Sequence, residues 1–138
     1  MQITFWNLQK RVPLKTGKIK KLIRKVLQGE RVKKTGWINL CFVDNLQIKK
    51  FNAKYHHTKS PTDVLAFDSS DKKEKGVLRA DIMISTQVAL KQAADFKTTV
   101  DYEISLYVVH GILHILGYDD RSRLQTKLMR KKESQYVN

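Results

Sequence analysis

A chain of 138 residues is long enough for one domain with a real core and too short to suggest two. Its 27 Lys and Arg against 13 Asp and Glu give a formal charge of +14, which predicts attraction to polyanions, nucleic acid before an anionic membrane surface. The lone cysteine, Cys41, excludes an internal disulfide and a cysteine-built zinc ribbon and fits a reducing compartment.

Met1 to Lys10 shows neither the apolar stretch nor the small-residue cleavage site of a secretion signal. No apolar run approaches the roughly 18 residues of a membrane span. The expectation is one soluble, cytoplasmic domain over residues 1–138, with no membrane partner. Ile3 and Phe5 alternate with Gln2 and Thr4 in a short strand. After a turn with Pro13 and Gly17, Ile19, Leu22, Ile23, Val26 and Leu27 recur at helical spacing, with Lys18, Lys20, Lys21, Arg24 and Lys25 on the other side. This basic amphipathic helix ends near Gly29. Trp37 to Val43 reads as a mostly buried strand that takes Cys41 into the core, and Leu46 to about Tyr55 as a helix.

Pro61 stops any helix, and Val64 to Phe67 forms a second short strand before the polar turn Asp68 to Gly76. Leu78, Ala80, Ile82 and Ile84 alternate with Arg79, Asp81 and Met83, the pattern of a strand with one face inward, and Ser85 caps a helix reaching about Phe96. Val100 to Leu116 is apolar almost all round after an acidic first turn, so it reads as a central buried helix ended by Gly117. A last basic helix runs from Ser122 to about Glu133 with Leu124 and Leu128 inward. The predicted class is α+β: a small mixed sheet of about four strands packed with about five helices, the central one carrying the chemistry.

That chemistry lies in the segment from His110 to Asp120. Two histidines four apart stand one turn above each other and can aim both imidazoles at a single ion. Gly117 can take a left-handed conformation and swing a residue three positions on back beside them, which favours Asp120 as third ligand, with Asp119 as its rival. The bland reading is a pair of satisfied core histidines, but burying two imidazoles without partners is costly. The spacing equals that of the extended zincin signature, yet Gly111 stands where those proteases carry a general-base Glu, so a peptidase is disfavoured. Three protein ligands leave a fourth position for water, and one divalent ion per chain, zinc first, is expected.

The same segment resembles the hallmark of the YbeY endoribonucleases, His-Gly-x-Leu-His-x-x-Gly-Tyr-Asp-His, from His110 through Asp119, and departs at Asp120, where that family has a third histidine. Phe51-Asn52 with Tyr55, then Pro61-Thr62-Asp63-Val64-Leu65-Ala66-Phe67, is similar to a second family block, and Ala80-Asp81-Ile82 to its Gly-Asp-Ile. The resemblance places His56 where the family has an arginine linked to catalysis. A histidine there is cationic only in part near neutral pH and can act as acid or base instead. Without the resemblance His56 and His57 read as solvated; Asp63 and Asp81 read as structural in either case.

What the resemblance implies is a metal-dependent endoribonuclease acting in ribosomal RNA maturation and ribosome biogenesis. Its partner would be RNA, ribosomal RNA first, with the ribosomal subunit or assembly factors besides. The basic helix residues Lys18, Lys20, Lys21, Arg24 and Lys25, in a Lys- and Arg-rich run whose one acid is Glu30, would contact phosphates, as would a second cluster from Arg121 to Lys132. The alternative is a non-catalytic assembly factor with a structural metal, kept open by the substitutions at Asp120 and His56.

Overall fold

The computed structural model describes residues 1–56 and 64–137, with the backbone alone for residues 52 and 54–56. The elements are β1 (Gln2–Asn7), α1 (Thr16–Gly29), β2 (Thr35–Val43), α2 (Asn45–His56), β3 (Val64–Asp68), β4 (Val77–Ser85), α3 (Thr86–Phe96), α4 (Val100–Ile115) and α5 (Arg123–Val137). The predicted α+β class is the observed one, with four strands and five helices among the described residues. The sheet order is β1-β2-β4-β3, with β1 and β4 parallel to β2 and β3 antiparallel to β4.

Strand alternation sorts the sheet into two unequal faces. The register pairs Ile3 with Ile38, Ile38 with Ala80, Leu40 with Ile82 and Phe42 with Ile84, and these side chains share one buried core with α1 and α4. The other face carries Asn39, Cys41, Asp81 and Met83, where Ile48 of α2 packs in a smaller cluster with Val43, Leu65 and Met83. Cys41 therefore lies half-buried beside this smaller cluster instead of in the main core.

Helix ends follow the local chemistry. The Ser85 hydroxyl accepts from the Val88 N–H as predicted, and Thr99 caps α4 in the same way through Tyr102. Gly117, at φ +107°, ends α4 with two backbone bonds, Gly117 N–H to the His114 carbonyl and Tyr118 N–H to the Leu113 carbonyl.

The inward face of α5 differs from the prediction. Leu124 is 80% exposed and Leu128 is 46% exposed, while Met129, Glu133 and Tyr136 are buried. At 3.6 residues per turn Leu128 and Leu124 stand about 100° and about 140° round the helix from Met129, so the stripe that docks on α4 and α1 misses both leucines. Among the described residues no helix is long and apolar enough to cross a membrane.

Candidate metal centre

α4 sets His110 and His114 one turn apart on one face, their ring centroids 6.0 Å apart and their planes 26° from parallel. His114 Nδ1 lies 2.8 Å from the Tyr118 carbonyl oxygen. A carbonyl can only accept, so Nδ1 carries the hydrogen and the neutral ring keeps its lone pair on Nε2. Behind His110, Glu133 Oε2 stands 3.4 Å from Nδ1. The Glu133 side chain is 3% exposed and accepts from Arg130 Nη1 at 2.9 Å, so this carboxylate is fixed and favours the same tautomer in His110.

The turn after Gly117 separates the two rival carboxylates. Asp119 is spent on the turn, its Oδ1 accepting from the Asp120 N–H at 2.8 Å and its Oδ2 pairing with Arg121 Nε at 3.0 Å. Asp120 instead holds its half-exposed carboxylate 3.9 Å from His110 Nε2. Two donors about 2.1 Å from a tetrahedral ion lie about 3.4 Å from each other, within reach of a small swing of an exposed aspartate. Among the described residues no three His, Cys, Asp or Glu side chains are close enough to hold an ion without such a movement. Two imidazoles and one carboxylate are nonetheless a donor set that zinc accepts.

Gly111, between the histidines, is where α4 meets the sheet. A Cβ there would stand 3.0 Å from Ile82 Cγ2 and 3.3 Å from Val64 Cγ2. A glutamate at this position, as a peptidase would need, would point into the sheet and away from an ion. The glycine is thus a packing requirement as well as a missing base.

His56 closes α2, and its side chain lies outside the described residues, as do His57 and Asp63. Asp81 accepts from Asn39 Nδ2 at 3.2 Å on the smaller face of the sheet, in a cavity of about 490 Å³ that Trp6, Phe51 and Phe67 also line. Lys18, Lys20, Lys21, Arg24 and Lys25 are exposed on α1, and Lys25 Nζ donates to the Tyr136 carbonyl. None of the five lines the cavity of about 580 Å³ beside the motif, where Arg31, Lys33 and Lys34 face Tyr118 and Asp119.

The sequence reading gave no role to three residues that the structure brings up to the motif: Glu30, Tyr118 and Glu133. Glu30 accepts hydrogen bonds from Tyr118, Tyr136 and Lys132. Burial pushes its carboxyl up, but the three donors outweigh that and hold it below its ordinary value. The hydrogen bond to Glu30, then burial, pushes the Tyr118 phenol up; burial first and Glu30 second do the same to Tyr136. For Glu133 a signal existed in the sequence, since it lies four residues after Met129 and three before Tyr136, on the stripe that docks.

A model of the family described as endoribonuclease YbeY matches residues 4–138. An endoribonuclease YbeY of Pelotomaculum thermopropionicum is 32% identical over 145 residues, spanning 99% of this chain and 95% of that protein. One of Petrotoga mobilis is 36% identical over 139 residues, spanning 100% and 94%. The solution structure of TM1509 from Thermotoga maritima superposes with a TM-score of 0.62 at 25% identity, covering 99% of this chain and 87% of that one.

Proposed function

The chain belongs to the endoribonuclease YbeY family, a membership that supports an RNA-cleaving hydrolase, and from that premise we propose that its activity depends on one divalent ion, zinc first, held by His110, His114 and Asp120. The observation that carries the reading is the pair of imidazoles on one face of α4, each backed at Nδ1 by an oxygen, with the Asp120 carboxylate beside His110 Nε2. An ion bound there supplies Lewis acidity toward water or a phosphodiester oxygen, zinc bringing the pKa of water to about 7. Glu133 and the Tyr118 carbonyl keep the imidazoles in the ligating tautomer.

Arg31, Lys33 and Lys34, which line the cavity beside the motif, would hold the RNA backbone there, and the exposed α1 lysines would extend that footprint to more distant phosphates. His56, at the family's arginine position, takes the role of acid, base or partial charge. Ribosomal RNA as substrate, the ribosomal subunit or assembly factors as partners, and a cytoplasmic setting belong to the same proposal and rest on the resemblance.

Asp120 favours a second reading, an RNA-binding assembly factor that does not cleave. Its negative charge where the family has a neutral imidazole makes the ion a weaker Lewis acid. An RNA cleavage assay with and without chelator, alongside a binding assay, separates the two. The enzyme reading expects cleavage that chelator abolishes and zinc restores. Tight RNA binding with no cleavage under any metal selects the second reading, and cleavage indifferent to chelator overturns the metal dependence.

A further inference from the structure

Glu30 sits where three elements meet. It follows the last residue of α1, and its carboxylate takes hydrogen bonds from Tyr118, in the turn after α4, and from Lys132 and Tyr136, in the second half of α5. Its side chain is 9% exposed, and Lys132 Nζ also stands 5.8 Å from the centre of the Tyr118 ring. A carboxylate so placed is too engaged to be a ligand or a base. Its partners lead elsewhere. Tyr118 gives its hydroxyl to Glu30 and lends its carbonyl to His114 Nδ1. Lys132 directly precedes Glu133, the carboxylate behind His110 Nδ1. One largely covered acid thus connects, by two routes, to both imidazoles.

Resting on the metal reading above, we propose that Glu30 is a positioning residue for the histidine pair. Through the Tyr118 phenol it holds the carbonyl that keeps the hydrogen of His114 on Nδ1, and through Lys132 and Tyr136 it seats the part of α5 that brings Glu133 to His110. The backbone bonds of the turn do not do this alone. They fix the N–H side of Tyr118 and Gly117, whereas the carbonyl that His114 uses belongs to the next peptide, between Tyr118 and Asp119, whose plane turns with Tyr118 ψ. Anchoring the ring at its far end fixes the Cα that carries this carbonyl, and so limits how far the oxygen can drift from His114 Nδ1. Partners of this outer kind fix ring orientation and tautomer, and their loss weakens metal binding by about 10- to 100-fold.

Two variants remove one hydroxyl each from the same carboxylate, so they separate the route to His114 from the route through α5 to His110. In metal-free protein at mildly alkaline pH, imidazole nitrogen NMR should find His114 with its hydrogen on Nδ1. Tyr118→Phe should shift His114 toward the Nε2–H form, leave His110 in place and weaken cobalt(II) affinity about tenfold. Tyr136→Phe should lower stability while leaving the His114 tautomer unchanged. Glu30→Gln, close in shape and safe against gross misfolding, should disturb both rings. A wild-type tautomer and wild-type cobalt affinity in Tyr118→Phe would overturn the proposal, as would an equal His114 shift in Tyr136→Phe. Failure of the wild-type protein to take up cobalt would overturn the metal reading instead, and the tautomer contrast would still decide the role of Glu30.

Discussion

The knot around Glu30 and the rim formed by His110, His114 and Asp120 are both polar clusters at the junction of α4 and α5, yet their carboxylates stand in different surroundings. Glu30 accepts from three donors, one in the turn after α4 and two in α5, and has little contact with water. The rim has oxygens behind its imidazoles and, in front, a half-exposed Asp120 at 3.9 Å, which is too long for a hydrogen bond. A cluster of mutually bonded groups stabilises a fold, whereas two imidazoles beside a half-exposed carboxylate are, on the proposal above, the groups that receive an ion. The contrast separates support from chemistry.

Breaking the rim while sparing the knot should give the largest effect on function and nearly none on stability. His114→Ala is expected to lower metal-stimulated RNA cleavage by more than about a hundredfold, because it removes a ligand and not merely a backing group. Its thermal unfolding should stay close to that of the parent protein, and a cleavage rate within a fewfold of the parent would remove His114 from the site.

Striking the platform beneath both clusters comes next. Gly111→Val would drive methyl groups into Ile82 and Val64 at the α4–sheet contact and should cost about 3 kcal/mol in urea unfolding. Unchanged stability would mean that α4 can retreat from the sheet.

Opening the knot should cost about 2 kcal/mol at neutral pH in Glu30→Gln, since a hydrogen-bonded charge is lost and two phenols and Lys132 must find new partners. The pH dependence has a definite sign. The folded carboxyl titrates below its ordinary value of 4.5, so its contribution is complete above that pH and is lost as pH falls through the lowered value. The gap between Glu30→Gln and the parent should therefore narrow in that acid window. A gap that stays constant through it would contradict the ionised, hydrogen-bonded state.

A substitution that touches neither cluster makes the smallest change. Leu124→Ser should leave stability within about 0.5 kcal/mol, because the side chain is 80% exposed. A loss of several kcal/mol would restore Leu124 to the inward face of α5.

How legible each cluster was depends on how far apart in the chain its members lie. The histidine pair, Gly117 and Asp120 fall within eleven consecutive residues, and helical spacing plus one left-handed glycine suffice to bring them together. The strands were legible for a similar reason, because period-two alternation in β1 and β4 and the apolar, β-branched run of β2 need no knowledge of the partner strand. The knot joins Glu30 to residues 88 and 106 positions away, and no local pattern encodes that meeting. The face of α5 was misread because a buried glutamate counts as polar in any amphipathic reading. Glu133 is buried only because His110 and Arg130 accompany it.

The central claim is that the rim closes on an ion with Asp120, and metal content measured by elemental analysis after dialysis tests it most directly. The parent protein should hold about one ion per chain, Asp119→Ala nearly as much, and Asp120→Ala much less. Asp119→Ala emptied while Asp120→Ala stays loaded, or a parent protein with no bound ion, would contradict it.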